Sequence, residues 1–252
     1  MVQRLVIAFV TTPLLVSAIA LGKLQAAALT AWLGPGPAWL AGPWALLAFA
    51  AIGLVLSDIG HYISHYMQHK IPFFWEFHKI HHAAEVLTPV TAARVHPVEN
   101  LLDSILLAPL EALELGAFFY LYGTEQSVMT IVGMTLLFPL YYLVDSIRHS
   151  HLRISFGPIL EHIFSSPAQH QIHHSRAPQH LDTNFSRHLS LLDWMAGTLY
   201  ISKAGETLDF GLADGPDSEL NSVRSLYWVP MKRAFRLVFR PYAPPAQIVS
   251  GD

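Results

Sequence analysis

The chain has 252 residues, of which 52% are hydrophobic and only 13% charged, against about a quarter charged in an average soluble domain. That balance excludes an ordinary water-soluble surface and points to the membrane, while a formal net charge of −3 excludes the basic excess of a nucleic-acid binder. With no cysteine, disulfides, thiolate zinc sites and Fe–S clusters are excluded, so any transition metal must be held by nitrogen and oxygen.

The first apolar run, Val6 to Leu21, reads as a retained helix. Lys23 and Gln25 do not resemble the end of a signal peptide with a small-residue cleavage site. After the loop Gly34-Pro35-Gly36-Pro37, a second run from Trp39 to Leu56 has about the length that crosses a bilayer core and continues directly into Asp58 and the first histidines. A polar stretch, His61 to Asn100, follows. The third and fourth runs, Leu101 to Tyr122 and Val128 to Val144, are joined by Gly123-Thr124-Glu125-Gln126 and read as a helical hairpin. Asp103, Glu111 and Glu114 would be expensive against lipid and are expected to face a bundle interior. In the tail, Lys232, Arg233, Arg236 and Arg240 alternate with Phe235, Leu237, Val238 and Phe239, which suggests an amphipathic segment on anionic lipid.

The expected fold is all-α: a membrane-embedded helical bundle with about four transmembrane helices and a cytoplasmic helical cap holding a histidine-rich di-metal site. One integral-membrane domain is expected over 1–252. Its parts are helices one and two in about 1–57, the first histidine clusters in 58–100, the hairpin in 101–147, the last cluster in 148–200 and a cytoplasmic tail in 201–252. Charge sets the orientation. Of 15 Lys and Arg, only Lys23 falls in a loop that would face outside; positively charged loops stay cytoplasmic. Every histidine-bearing segment then lies on one face.

The 15 histidines all lie between His61 and His188. His78-Lys79-Ile80-His81-His82 places imidazoles at i, i+3 and i+4, a shared helical face from which two or three can point at one place. His170-Gln171-Ile172-His173-His174 repeats that spacing. Neutral imidazole is a good ligand for Fe, Zn, Cu or Ni. His61, His65 and His69 form two overlapping pairs four residues apart, and spacing does not choose between 61/65 and 65/69.

The stretch Asp58-Ile59-Gly60-His61-Tyr62-Ile63-Ser64-His65-Tyr66-Met67-Gln68-His69, then Phe74-Trp75-Glu76-Phe77-His78-Lys79-Ile80-His81-His82, resembles the fatty acid hydroxylase/sterol desaturase superfamily. So do Arg94-Val95-His96-Pro97, Asn184-Phe185, Leu192-Asp193-Trp194 and Gly197-Thr198. The resemblance covers about residues 55–200. It implies a di-iron oxygenase whose catalytic metal ligands are His65, His69, His78, His81, His82, His170, His173 and His174, and it favours 65/69 over 61/65. Departures are Tyr66, where the family commonly has Arg, and His149-Ser150-His151, where it often has His-Ser-Asn. Asp145 stands where some members carry another ligand. His149 is therefore taken as a further metal ligand. His61, His96, Asp145 and His151 are additional ligands or groups behind the ligands. Asp182 and Asp193 either orient ligand imidazoles or cap turns; Trp75 and Trp194 pack or anchor at the interface.

An unactivated C–H bond needs an oxidant stronger than any side chain, so a metal cofactor must supply it. The expected function is an O2-dependent di-iron hydroxylase or desaturase of a membrane lipid, fatty acyl or sterol-like. Two iron ions are the expected cofactor, with zinc admissible on ligand type. A separate ferredoxin, cytochrome or reductase would supply electrons. A metal transporter or metal-buffering protein would want its ligands along the middle of the spans, and a haem or quinol carrier would want His pairs inside them; the ligands here gather at span ends and beyond.

Overall fold

The computed structural model describes residues 2–37, 42–124 and 146–239. Among these the protein is helical throughout, with one isolated β-bridge between Ser175 and Phe210. The fourth apolar run, Val128 to Val144, and Asp145 lie outside the described residues.

Among the described residues, three helices are long and apolar enough to cross a membrane. Helix α1 (Val2–Leu33) runs well past the apolar core at Val6 to Leu21, because its continuation after Gly22 is rich in alanine and leucine, and it ends before Gly34, which has a positive φ. Helix α2 (Pro43–Lys70) carries the second run on through His61, His65 and His69. Helix α4 (Pro97–Tyr122) carries the third. Between α2 and α4 comes the short helix α3 (Pro72–His82).

The spanning helices touch through small residues. A Cβ at Gly22 of α1 would lie 2.9 Å from Leu115 Cβ of α4, and one at Gly60 of α2 would lie 2.7 Å from Leu107 Cδ2. Close backbone approach of this kind is how helices associate where lipid removes the hydrophobic drive. At the far end Phe49, Phe118 and Phe119 form a buried aromatic knot, with Phe49 and Phe118 edge to face at 5.6 Å. Leu101, Ile105 and Leu113 of α4 and Leu47, Ile52 and Val55 of α2 point outward, as lipid-facing side chains must. Asp103 of α4 turns the other way and accepts hydrogen bonds from Ser64 and Gln68 of α2. Glu114 lies against Gly53 of α2. Both acids therefore face the bundle, as expected.

Proline sets the helix boundaries around the histidines. The residue before a proline is pushed out of the α region, so Ile71, extended at φ −101° and ψ 113°, ends α2 and starts α3 with Pro72 in the first turn. That break folds α3 back towards the end of α2. The same device starts α4 at Pro97 and α6 (Pro167–His173) at Pro167. Both are closed by capping boxes, His96 with Glu99 and Ser166 with Gln169. Short helices α5 (Gly157–Leu160) and α7 (Leu191–Ala196) flank α6 in the sequence. The tail forms α8 (Val223–Phe239), which packs on α3 and buries Pro230 and Ala234. Its Arg233 pairs with Asp217 and Glu219, so this arginine faces protein carboxylates; Phe235, Val238 and Phe239 remain exposed.

Candidate metal centre

Nine histidines converge into two groups. His65, His69, His78, His82 and His173 form one; His81, His149, His170 and His174 form the other. Within each group the candidate ligand nitrogens lie within 4.8 Å of one another. The two groups abut: the rings of His82 and His174 stack with centroids 4.5 Å apart. Neither His-x-x-His-His motif serves a single point. His78 and His82 go to the first group and His81 to the second; His170 and His174 go to the second and His173 to the first. With about 100° per residue, i and i+4 diverge by about 40°, but i+3 and i+4 by about 100°. One α-helical motif therefore serves two neighbouring centres.

The first group is held from behind. Three rings donate Nδ1–H outward: His65 to the Phe185 carbonyl, His78 to Glu99 Oε2 and His173 to the Thr183 carbonyl, each at 2.7 Å. A carbonyl can only accept, so the tautomer of His65 and His173 is determined, and their Nε2 atoms carry bare lone pairs. Glu99 places the His78 proton in the same way. His69 Nδ1 lies 3.6 Å from Asp182 Oδ1. The shelf behind these rings is itself built. Asp193 accepts from the Phe185 and Ser186 amides at 2.8 and 2.9 Å and from Thr198 Oγ1 at 2.7 Å. Asn184, in the left-handed region at φ 56°, ties its amide side chain to Gln169 and Tyr200. Phe185 is fully buried against His65, His69 and His173.

The second group has fewer such ties. His149 Nε2 lies 3.2 Å from His81 Nε2 and 2.9 Å from His170 Nε2, and His174 Nε2 lies 3.2 Å from His170 Nε2. Among the described residues, Nδ1 of His170 and His174 is buried with no hydrogen-bond partner, while His81 has the Thr91 backbone beside it.

The residues fit a pair of transition-metal ions. In the first group, His65 Nε2 and His78 Nε2 face each other at 3.2 Å although both Nδ1 protons are directed away. Two lone pairs so placed repel unless a cation lies among them. Among the described residues, the buried Nε2 atoms of His69 and His173 also have no partner, which is costly without a ligand. Burial holds the His78 imidazole down at about 3, and burial followed by the neighbouring imidazoles holds His81, His82, His170, His173 and His174 well below their ordinary range. The rings are thus neutral donors near pH 7, a set suited to Fe, Zn, Cu or Ni and not to Mg or Ca.

The remaining histidines lie outside both groups. His61 Nδ1 is 3.9 Å from Asp103 Oδ2. His96 caps α4, accepting from the Val98 amide, and its Nε2 faces the Tyr227 carbonyl at 3.3 Å. His151 is exposed. His180 is fully buried between Ser175 and Glu206, and His188 binds Asp58. Glu99 and the carbonyls of Thr183 and Phe185 were not singled out from the sequence. Glu99 had a signal, the four-residue capping-box spacing from His96; a carbonyl has none in a string of side chains.

Among the described residues, an all-helical fold with three membrane-length helices and nine converging imidazoles defines a histidine-rich membrane protein with two clusters that could hold metal. Residues 50–198, more than half of the chain, match the fatty acid hydroxylase family, and the chain belongs to it. Similar proteins include ornithine lipid hydroxylase OlsE of Rhizobium tropici, 27% identical over 67% of this chain and 47% of that protein. Alkylglycerol monooxygenase of Danio rerio is 28% identical over 68% of this chain and 34% of that protein. Fatty acid hydroxylase domain-containing protein 2 of Macaca fascicularis is 26% identical over 62% and 39%. The aligned region thus spans half or less of these relatives' lengths. No solved structure matches the chain.

Proposed function

We propose that the protein is an O2-dependent di-iron hydroxylase of a membrane lipid, fatty acyl or sterol-like, with desaturation as the alternative outcome of the same hydrogen abstraction. The observation that carries this reading is the division of nine imidazoles into two abutting groups. Relatives named as lipid hydroxylases and monooxygenases support the substrate class. His65, His69, His78, His82 and His173 would hold one ion, and His81, His149, His170 and His174 the other. Bound iron would supply the redox chemistry that no side chain can. One atom of O2 enters a C–H bond and the other leaves as water, with two electrons and two protons from a separate ferredoxin, cytochrome or reductase.

The protein's own part is positional. Glu99, Phe185 and Thr183 fix the direction of three rings. Phe185, edge to face, and Trp75, tilted, pack against His69 and would exclude water there. With α2 as a span, His65 and His69 at its end would lie at the membrane surface, where a lipid chain can arrive sideways. A fourth span and a cytoplasmic active-site face complete the proposed topology, on the strength of the arginine and lysine distribution. Ligands at span ends disfavour a metal transporter, which needs them along a path.

The test is metal analysis of purified protein with lipid profiling of cells that do and do not express it. Two irons per chain and a lipid gaining one oxygen, or losing two hydrogens, are expected. Unchanged metal content and oxidation in His81→Ala and His173→Ala would sink the reading.

A further inference from the structure

The segment around α5 and the helix α7 are inside-out for a protein surface in water. In Phe156-Gly157-Pro158-Ile159-Leu160-Glu161-His162-Ile163-Phe164, the carboxylate is the part that is buried. Glu161 is fully enclosed and accepts from Ser155, Ser166 and Ser202, each at 2.7 Å. Ile159, Leu160, Ile163 and Phe164 point outward, Ile159 being 81% exposed. The same inversion recurs in α7: Asp193 is buried on the loop amides, whereas Trp194 and Met195 are 58% and 76% exposed. The two segments are one surface. The Leu191 amide donates to the Ile163 carbonyl, and the Trp194 ring lies against His162 at 5.6 Å. A contiguous apolar patch of this kind marks an interaction site.

Its depth is set by where it is tied. Helix α2 rises about 1.5 Å per residue, so the roughly 30 Å of hydrocarbon counted from Trp44 ends near Ser64. Asp58 lies below that level; it accepts from the His188 and Leu189 amides and from His188 Nδ1 at 3.0, 2.6 and 2.8 Å. Tyr62, also below it, hydrogen-bonds Thr198 at 3.0 Å. The chain that carries α7 is therefore fastened to a part of α2 within the apolar layer, and its outward side chains continue the lipid-facing surface of the spanning helices.

We infer that Ile159, Leu160, Ile163, Phe164, Trp194 and Met195 form an in-plane membrane surface, and that its occupant is the hydrocarbon–headgroup boundary of the bilayer. It seats the histidine cap on the membrane independently of the spanning helices. The inference rests on the membrane-enzyme reading and adds to it the direction in which the cap faces lipid.

The absence of cysteine makes the test direct. Single variants Ile159→Cys and Met195→Cys of the full chain carry a nitroxide label in phosphatidylcholine nanodiscs. Collision with dissolved O2, which concentrates in hydrocarbon, is compared with collision with a water-soluble nickel chelate. Leu24→Cys on α1, exposed on a candidate span, and the exposed Asp214→Cys serve as references. The O2-to-nickel ratio at 159 and 195 is expected near that of position 24 and several-fold above that of position 214. Ratios like that of position 214, or labels shielded from both probes, would overturn the inference while leaving the enzyme reading intact. Nickel accessibility at position 24 itself would instead remove the membrane reading on which it stands.

Discussion

The two histidine groups draw on the same motifs but are held differently. In the group of His65, His69, His78, His82 and His173, three rings are pinned from behind by Phe185, Glu99 and Thr183. In the group of His81, His149, His170 and His174, the Nδ1 atoms of His170 and His174 have no hydrogen-bond partner among the described residues. Three rings of the first group are oriented before any ion arrives. In the second, ring packs on ring, with His149 and His170 at 4.4 Å. Two centres with different degrees of preorganisation can therefore sit side by side within one helical scaffold.

The sharpest way to break that comparison is to remove one ligand from each group. His78→Ala and His170→Ala should each lower product formation by more than about 100-fold, beyond the range for outer groups. Metal content should fall further in His170→Ala, which leaves three ligands, than in His78→Ala, which leaves four, two of them anchored on backbone carbonyls. Equal loss in both, read by elemental analysis, would show that the anchoring does not matter.

A smaller effect is expected from the backing alone. Glu99→Leu removes the acceptor for His78 and should lower metal affinity at the first group by about 10- to 100-fold, whereas Glu99→Gln retains an acceptor and should recover most of it. Metal titration of the purified variants separates the two.

Acid should act on the metal-free protein more gently. Burial holds His78 at about 3 and His173 and His174 well below their ordinary range, so the unfolded chain binds more protons than the folded one between those values and about 6.5. The stability contributed by the neutral rings is complete above about 6.5 and is lost as pH falls towards the folded values. The melting temperature of metal-free protein should therefore drop as pH falls from about 7 to about 5; a flat profile would contradict neutral burial of the rings.

The smallest effect belongs to Asp182→Asn. This carboxylate is 3.6 Å from His69 and its side chain is 44% exposed, so solvent screening should limit the change in metal affinity to about five-fold or less.

Much of the site was legible in the order of residues. The four-residue step from His65 to His69 and the repeated His-x-x-His-His were enough to gather histidines on helix faces. The structure brings His65 and His69 into one group and leaves His61 beside Asp103. The segregation of His81 from His78 and His82 follows from helical angles and could have been read from spacing. The role of Asn184, Asp193 and Thr198 could not: they act on backbone amides and carbonyls up to 16 residues away, and only the closed loop shows which ones. The inward turn of Glu161 was equally hidden, because a carboxylate's burial depends on three serines brought in from separate places.

Composition, helical period and proline placement thus determined a helical membrane protein with histidines collected near the ends of its spans, since these are local consequences of side-chain polarity and backbone sterics. Only the tertiary structure decided which imidazole joins which group, which nitrogen is left bare, and which apolar side chains of the cap face outward. Those depend on contacts between α2, α3, α6 and the loop after them. Such contacts carry no local signature in the chain.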